Sequence, residues 1–424
     1  MTGITVITES ALLAEYCAGW KKAAYITVDT EFMREHTYWP KLCLVQVGGP
    51  DESVIIDPMA EGIDLTPLYN VLTDQNVLKV FHAARQDVEL FYHLTEHVPS
   101  PLFDTQVAAM VCGFGDSVGY EKLAARLADA QIDKTSRFTD WARRPLTDRQ
   151  LIYAVADVSH LRPIYDKLSA QLESNGRRSW IDEEMKILTS PSTYENEPGN
   201  AWLRIKVRNG KPRFLANLRE IAAWREKEAQ RRDVPRNRII REEALTEIAA
   251  SAPTSVEELA RVRAISQKFA EGEMGRAILK VIQHALSLGK ESYPSVPKLV
   301  EKPIGLAPLM DLLKVLLKMR CEQSGVAQKL VATVGDLERF ASGDEASPLL
   351  SGWRRELFGE LALAMTDGRV ALTALNGQVQ VIPQDAEAAK LTAPPKRPRR
   401  PRQRPRRRNP GTLLDEKCAD KPAE

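Results

Sequence analysis

The sequence predicts a mixed α/β domain followed by two small all-α domains. Three observations carry this expectation. Short apolar or β-branched runs alternate with helix-periodic stretches over the first 175 residues. Helical periodicity then dominates from residue 208, with no strong strand before residues 370–372 and 379–382. Composition also shifts twice, at a Pro-, Ser-, Asn- and Gly-rich stretch over 191–200 and a Pro-rich one over 293–303. A length of 424 residues suits two to four domains at about 100–200 residues each. The expected divisions are an α/β domain at 1–175, a linker at 176–207, a helical domain at 208–290, a linker at 291–304, a second helical domain at 305–383, and a tail at 384–424.

The α/β elements follow in order. Residues 24–28, 42–47 and 53–56 read as strands, and Gly48-Gly49-Pro50-Asp51 as a hairpin turn between the second and third. Residues 77–81 form a fourth strand, residues 84–93 a helix, and residues 102–103 a short fifth strand. Three strands in a meander, then strands separated by helices, give a mixed sheet. A long helix starts at Thr147, with Gln150 completing a capping box, and stops at Asn175-Gly176. Pro163 should bend it near Ser159. Farther on, helices over 214–288 break at Asp233-Val234-Pro235 and Ala252-Pro253-Thr254. Those over 305–366 break at Ser342-Gly343-Asp344.

Composition narrows the function classes. Hydrophobic residues at 43% and charged residues at 27% describe a globular chain. No run approaches the roughly 18 apolar residues that span a bilayer. Residues 1–9 hold an acid and no basic cluster, a poor signal peptide, so a cytoplasmic location with no membrane partner is expected; a monomer is the expected state. Five scattered cysteines, none spaced as Cys-x-x-Cys, argue against a zinc site or a disulfide framework. Net charge is only +2, yet residues 396–408 hold nine basic residues and no acid. Such asymmetry marks a polyanion partner.

The chemistry lies in four carboxylates and a tyrosine. Asp29 and Glu31 alternate along the first strand and share one face. Hard divalent cations prefer such oxygen ligands. Asp87 opens the helix after the fourth strand. Tyr153 and Asp157, four apart, stack on one face of the long helix. Each signal alone is ordinary surface chemistry. Together they suit phosphodiester hydrolysis, where an anionic substrate beside four acids demands intervening cations. Two metal ions, Mg²⁺ or Mn²⁺, would activate water and stabilise the leaving oxygen. Tyr153 would align that water.

This constellation resembles the DEDD exonucleases on the ribonuclease H-like fold. Asp29 and Glu31 match the first motif, Asp87 the second, and Tyr153 with Asp157 the third. Ile152 occupies the place where another branch carries histidine, so the tyrosine branch is the match. Over residues 3–175 the chain is more specifically similar to the ribonuclease D family. The runs that carry this are Asp29-Thr30-Glu31-Phe32-Met33-Arg34-Glu35, Tyr38-Trp39-Pro40, Leu42-Cys43-Leu44-Val45-Gln46, Phe103-Asp104-Thr105 and Thr139-Asp140-Trp141-Ala142-Arg143-Arg144-Pro145-Leu146. Residues 210–288 resemble the helicase-and-RNase-D C-terminal (HRDC) domain, and the 305–375 region the second helical domain of the family. The stretch Val262-Arg263-Ala264-Ile265-Ser266 lacks the turn glycine of helicase HRDC domains. The resemblance implies 3′→5′ trimming of RNA with a single-stranded 3′ end, notably precursor tRNA, releasing 5′-mononucleotides. Two rivals stand beside it: a DNA 3′→5′ exonuclease, and a non-catalytic RNA-binding adaptor.

Other residues take secondary roles. Asp104 is expected to cap a helix or support the ligands from behind. Phe32, Met33, Tyr38 and Trp39 could stack on bases. Lys134, Arg137, Arg143 and Arg144 lie just before the long helix and could meet phosphates. His82 reads as a strand-end histidine, not a ligand. Arg225 to Arg241 is basic but interleaved with glutamates, which suits internal ion pairs.

Prolines at 398, 401 and 405 oppose a helix in the basic tail, which is expected to be disordered and to bind phosphates without sequence preference. If about half its charges meet RNA, removing residues 396–424 should make the log-affinity against log-salt slope shallower by about 3, at about −0.7 per contact. An unchanged slope would assign the tail another partner.

Overall fold

The structure, a computed structural model, describes residues 3–136, 139–207, 210–294 and 306–385. The basic tail lies outside them. The first part is a six-stranded mixed sheet. Its strands are β1 (Thr5–Ile7), β2 (Tyr25–Met33), β3 (Lys41–Gly48), β4 (Ser53–Ile56), β5 (Leu78–Phe81) and β6 (Leu102–Asp104), in the spatial order β1-β4-β3-β2-β5-β6. The expected meander is present: β2, β3 and β4 pair antiparallel. β5 runs parallel to β2, β6 to β5, and β1 to β4. β1 was not anticipated, because three residues are too few for a periodicity signal.

Among the described residues eight α-helices accompany the sheet: α1 (Ser10–Trp20), α2 (Thr66–Leu72), α3 (Arg85–Thr95), α4 (Thr105–Val111), α5 (Tyr120–Leu123), α6 (Asp148–Ser159), α7 (Leu161–Asn175) and α8 (Arg178–Leu188). The expected long helix is broken at His160 into α6 and α7. Pro163 cannot donate to the carbonyl of Ser159, and the chain turns there. The capping box forms as expected: Gln150 N donates to Thr147 Oγ1 (3.3 Å) and Thr147 N to Gln150 Oε1 (3.0 Å).

The odd-numbered side chains of β2 face α6 and α7. Tyr25 Oη donates to Asp166 on α7 (2.9 Å). Thr27 Oγ1 donates to the Val158 carbonyl at the end of α6 (2.8 Å). Asp29 and Glu31 continue this row. Gly48 of β3, paired with Thr27, leaves room for the approach.

The expected linker over 176–207 is corrected. Helix α8 and Tyr194 bury Ile181, Met185 and the Tyr194 ring in the first core, while Ala201 and Ile205 enter the second. Polar, proline-bearing composition concealed an apolar face at helical spacing. The second core is built on α9 (Pro212–Arg232), packed against Glu242–Ser251 and Glu273–Ser287. The third gathers Leu306–Ser324, Val334–Ala341 and Glu360–Thr366 around Leu313, Leu316, Trp353 and Phe358. This third unit is not all-α. It ends in a hairpin of β7 (Val370–Leu375) and β8 (Gln378–Pro383), turned by Asn376-Gly377 with both φ positive.

The third unit docks on the first. Arg177 donates to the carbonyls of Val111 (3.0 Å) and Ser324 (2.7 Å). Glu184 on α8 accepts from Trp353 Nε1 (3.0 Å) and from Arg354 (2.6 Å). Among the described residues no helix is long and apolar enough to cross a membrane.

A Cβ on Gly48 would fall 2.3 Å from Thr27 Oγ1 and 3.2 Å from the Val158 oxygen. Gly48→Ala should therefore cost about 1–3 kcal/mol, as overpacking does. Urea unfolding should show a lower midpoint at an unchanged slope. A wild-type midpoint would mean that this approach is not tight.

Candidate active site

Each acid reaches the site by a different local device. Asp29 and Glu31 share the odd face of β2, and the β2–β3 register shifts between Glu31 and Phe32. A bulge at this point re-aims the strand end, as bulges beside functional sites commonly do. Asp157 precedes Val158 on α6, so the Thr27–Val158 hydrogen bond sets its height over β2. Ligand oxygens of Asp29, Glu31 and Asp157 all lie within 4.8 Å of one another.

Asp87 arrives from the β5–α3 turn. That turn needs Ala83 at φ +59°, a conformation costly for a residue with a Cβ. Asp104 holds it in place. Its carboxylate accepts from Ala83 N (3.0 Å) and Ala84 N (2.9 Å), and caps α4 through Gln106 N (2.8 Å). Asp104 is thus committed to three backbone amides behind the acids. Asp87 itself accepts a hydrogen bond from Thr30, the residue between the two acids of β2. It lines the same cleft of about 550 Å³ but stands outside the three-oxygen group.

Electrostatics follow from this crowding. Burial, and then the carboxylates of Asp157, Asp87 and Glu31, push the Asp29 carboxyl well above its usual range. Burial likewise raises Asp87 to about 7, against a hydrogen bond from Thr30 that lowers it. The Tyr153 phenol is raised by burial and by Asp157, Glu31 and Asp29, and is hydrogen-bonded with Asp157. It stays neutral at any physiological pH. An all-oxygen donor set whose acids resist ionisation together fits hard divalent cations.

The other expected contacts divide. Phe32 lines the cleft. Met33 does not: it packs beside Trp141 and Leu44 in a small core. Trp39 is also corrected, since its ring stacks on His93 at 3.8 Å and 7° and packs against the second core. Tyr38 is buried in that core. His93 and the second core claimed these rings, partners far along the chain that no local pattern reveals. Arg143 is exposed and is not among the cleft-lining residues. Arg144 is held by Asp57 (2.6 and 2.7 Å) and by the Cys43 carbonyl (2.8 Å), so it braces the loop before α6. Lys134 lies in a 3-10 turn, Lys134–Ser136, and Arg137 lies outside the described residues. The basic run from Arg225 to Arg241 pairs internally: Glu228 with Arg231 and Arg232, Glu226 with Arg236.

Sequence reasoning missed Gln86, Gln106, Tyr120 and Lys122, which also line the cleft. Gln86 adjoins Asp87 and could have been noticed. Tyr120 donates to the Ala156 carbonyl (2.8 Å), a bond across 36 residues that no spacing announces. Gln46, directly across β3 from Asp29, was seen only as part of a motif. It is fully buried, and neither of its amide atoms has a hydrogen-bond partner.

Comparison with known proteins adds independent findings. Residues 4–173 match the 3′-5′ exonuclease family and residues 214–282 the HRDC domain family. Ribonuclease D of Nitrobacter hamburgensis is 49% identical over 375 residues, which span 88% of this chain and 98% of that protein. Ribonuclease D of Gluconacetobacter diazotrophicus is 50% identical over 364 residues, 86% of this chain and 93% of that one. The crystal structure of Escherichia coli RNase D, described as an exoribonuclease involved in structured RNA processing, superposes with a TM-score of 0.77. It is 30% identical, and the match covers 86% of this chain and 99% of that one.

A raised folded-state carboxyl has a definite pH signature. The stability that protonated Asp87 contributes is complete below its ordinary value of 3.8 and is lost as pH rises through about 7. Cation binding requires the ionised form and relieves that loss. The rise in unfolding temperature on adding Mn²⁺ should therefore be larger at pH 8 than at pH 5.5, and Asp87→Asn should narrow the difference. Equal shifts at both pH values would remove these acids from cation binding.

Proposed function

Because this chain belongs to the ribonuclease D family, we propose that its cleft trims the 3′ ends of precursor tRNA, with Asp29, Glu31, Asp87 and Asp157 holding two divalent cations, Mg²⁺ or Mn²⁺. The chain is a 3′→5′ exoribonuclease. The observation that carries the site assignment is the convergence of three carboxylate oxygens within 4.8 Å beside the Tyr153 hydroxyl. The precursor-tRNA reading draws on the structured-RNA processing ascribed to the Escherichia coli relative. We take the protein to act as a cytoplasmic monomer.

Bound cations would supply an activated water and charge neutralisation at the phosphate and the leaving oxygen. The protein's own residues do the rest. Asp29, Glu31 and Asp157 present oxygens from β2 and α6, two elements joined by the Thr27–Val158 bond. Asp87 reaches the same cleft from α3, steadied by Thr30. Tyr153 keeps its proton and is oriented by Asp157, so its hydroxyl can fix a water for in-line attack. Phe32, on the cleft wall, offers a ring to the terminal base.

Asp157→Asn should leave folding and RNA binding intact and remove turnover. Losing a direct ligand should exceed the roughly 10–100-fold cost of outer-shell changes. A variant retaining more than about a tenth of the wild-type rate would refute the assignment. Tyr153→Phe should lower kcat by about 10²–10⁴-fold with little change in KM. Normal kcat would reduce Tyr153 to packing. Labelled RNA and DNA, each with Mg²⁺ or EDTA, separate this reading from a DNA exonuclease and from a non-catalytic adaptor.

A further inference from the structure

The loop between β2 and β3 leaves the site directly after Phe32 and is held on two sides. On one side it is bound to α3, the helix that carries Asp87. Arg34 makes a bidentate pair with Glu89 (2.9 Å each), and Trp39 stacks on His93. On the other side it is bound to α9, in the first helical unit. Asp233, which ends α9, accepts on one oxygen from both Tyr38 N and Trp39 N (3.0 Å each). The Tyr38 hydroxyl donates to Glu226, which is fully buried. Arg236 donates to both oxygens of Glu226 (2.6 Å each) and lies over the Tyr38 ring. Gln230 reaches the same hydroxyl (3.2 Å).

A buried glutamate is costly unless fully paired, and pairing with a hydroxyl 188 residues away ties two units into one geometry. Asp233 sits in the left-handed region, φ +49°, which turns the chain so that its carboxylate can receive two adjacent amides. These bonds do not use the basic residues of α9 for a polyanion. They use its end to hold the strand that bears Asp29 and Glu31 against the helix that bears Asp87.

We propose that the end of α9 is a positioning device for the nuclease site: Glu226 and Asp233 clamp the loop over residues 34–40 and thereby set β2 against α3. The inference rests on the nuclease reading of the cleft. Tyr38, Glu226 and Asp233 are positioning residues. A helical unit that served only to grip RNA would act on KM. A clamp acts on kcat, because misplacing reacting groups by about 1 Å can cost on the order of 10²-fold.

The test uses the full chain and a single-stranded RNA, with kcat and KM measured separately. Asp233→Gly keeps the left-handed turn but removes the acceptor, and Asp233→Asn keeps both. The clamp requires kcat to fall by about 10-fold or more in Asp233→Gly, with KM within about twofold, and to be restored in Asp233→Asn. Tyr38→Phe keeps the ring in its core and should lower kcat in the same sense, which serves if the glycine variant is too unstable to assay. A raised KM at wild-type kcat would overturn the clamp in favour of RNA contact. So would wild-type kinetics, or a kcat loss that asparagine does not rescue. Asp157→Asn is measured alongside. If it retains turnover, the nuclease reading fails; if it is inactive while Asp233→Gly is normal, only the clamp fails.

Discussion

Three carboxylates cannot share a space under 5 Å across unless the backbone forces them to, and the bond from Thr27 to the Val158 carbonyl is where this chain applies that force. It joins the central strand to the end of α6, two residues before Asp29 on one element and one residue after Asp157 on the other. Because side chains alternate along a strand, seating Thr27 under α6 also seats Asp29 and Glu31 there. Gly48 is part of the same constraint, since any Cβ at that position would occupy the path of the bond. The mutual repulsion of the acids is then carried by the fold. Added to the effect of burial, it shows in the reluctance of Asp29 to ionise.

Other buried acids brace the backbone around and beyond the site. Asp104 spends its whole carboxylate on three backbone amides, two of them in a turn that holds Ala83 in an unfavourable conformation. Asp57 does comparable work through Arg144, anchoring the loop that leads into α6. Glu226 and Glu184 do so between units. The partners are backbone amides, guanidiniums, an indole N–H and a phenol hydroxyl, which satisfy the charge well enough to permit burial.

The two helical units meet the catalytic unit at different elements. The third meets α8 through a pair of stacked indoles, Trp180 and Trp353, centred 4.6 Å apart, with Glu184 bonding the edge of one. The second meets the β2–β3 loop by taking the Tyr38 ring into its core and by polar contacts to Tyr38 and Trp39. The first contact is remote from the acids. The second lies within a few residues of them along the chain, which makes it the one placed to influence turnover.

The sequence alone determined what depends on short range. Alternation put Asp29 and Glu31 on one face, the four-residue interval put Tyr153 over Asp157, Thr147 and Gln150 closed a capping box, and Pro163 broke the helix beside Ser159. Asp104 was legible as a cap because an acid between a strand and a helix has amides to satisfy. Motif runs within the first 175 residues further identified the family. Tertiary structure decided the rest. It took Trp39, Tyr38 and Met33 out of the cleft, because apolar side chains bury themselves against whatever surface the fold brings near, here His93, α9 and Trp141. It turned a supposed linker into α8, brought Tyr120 and Lys122 to the site, and bound Arg144 to Asp57. Such pairings join residues tens to nearly two hundred positions apart, and periodicity carries no information at that separation.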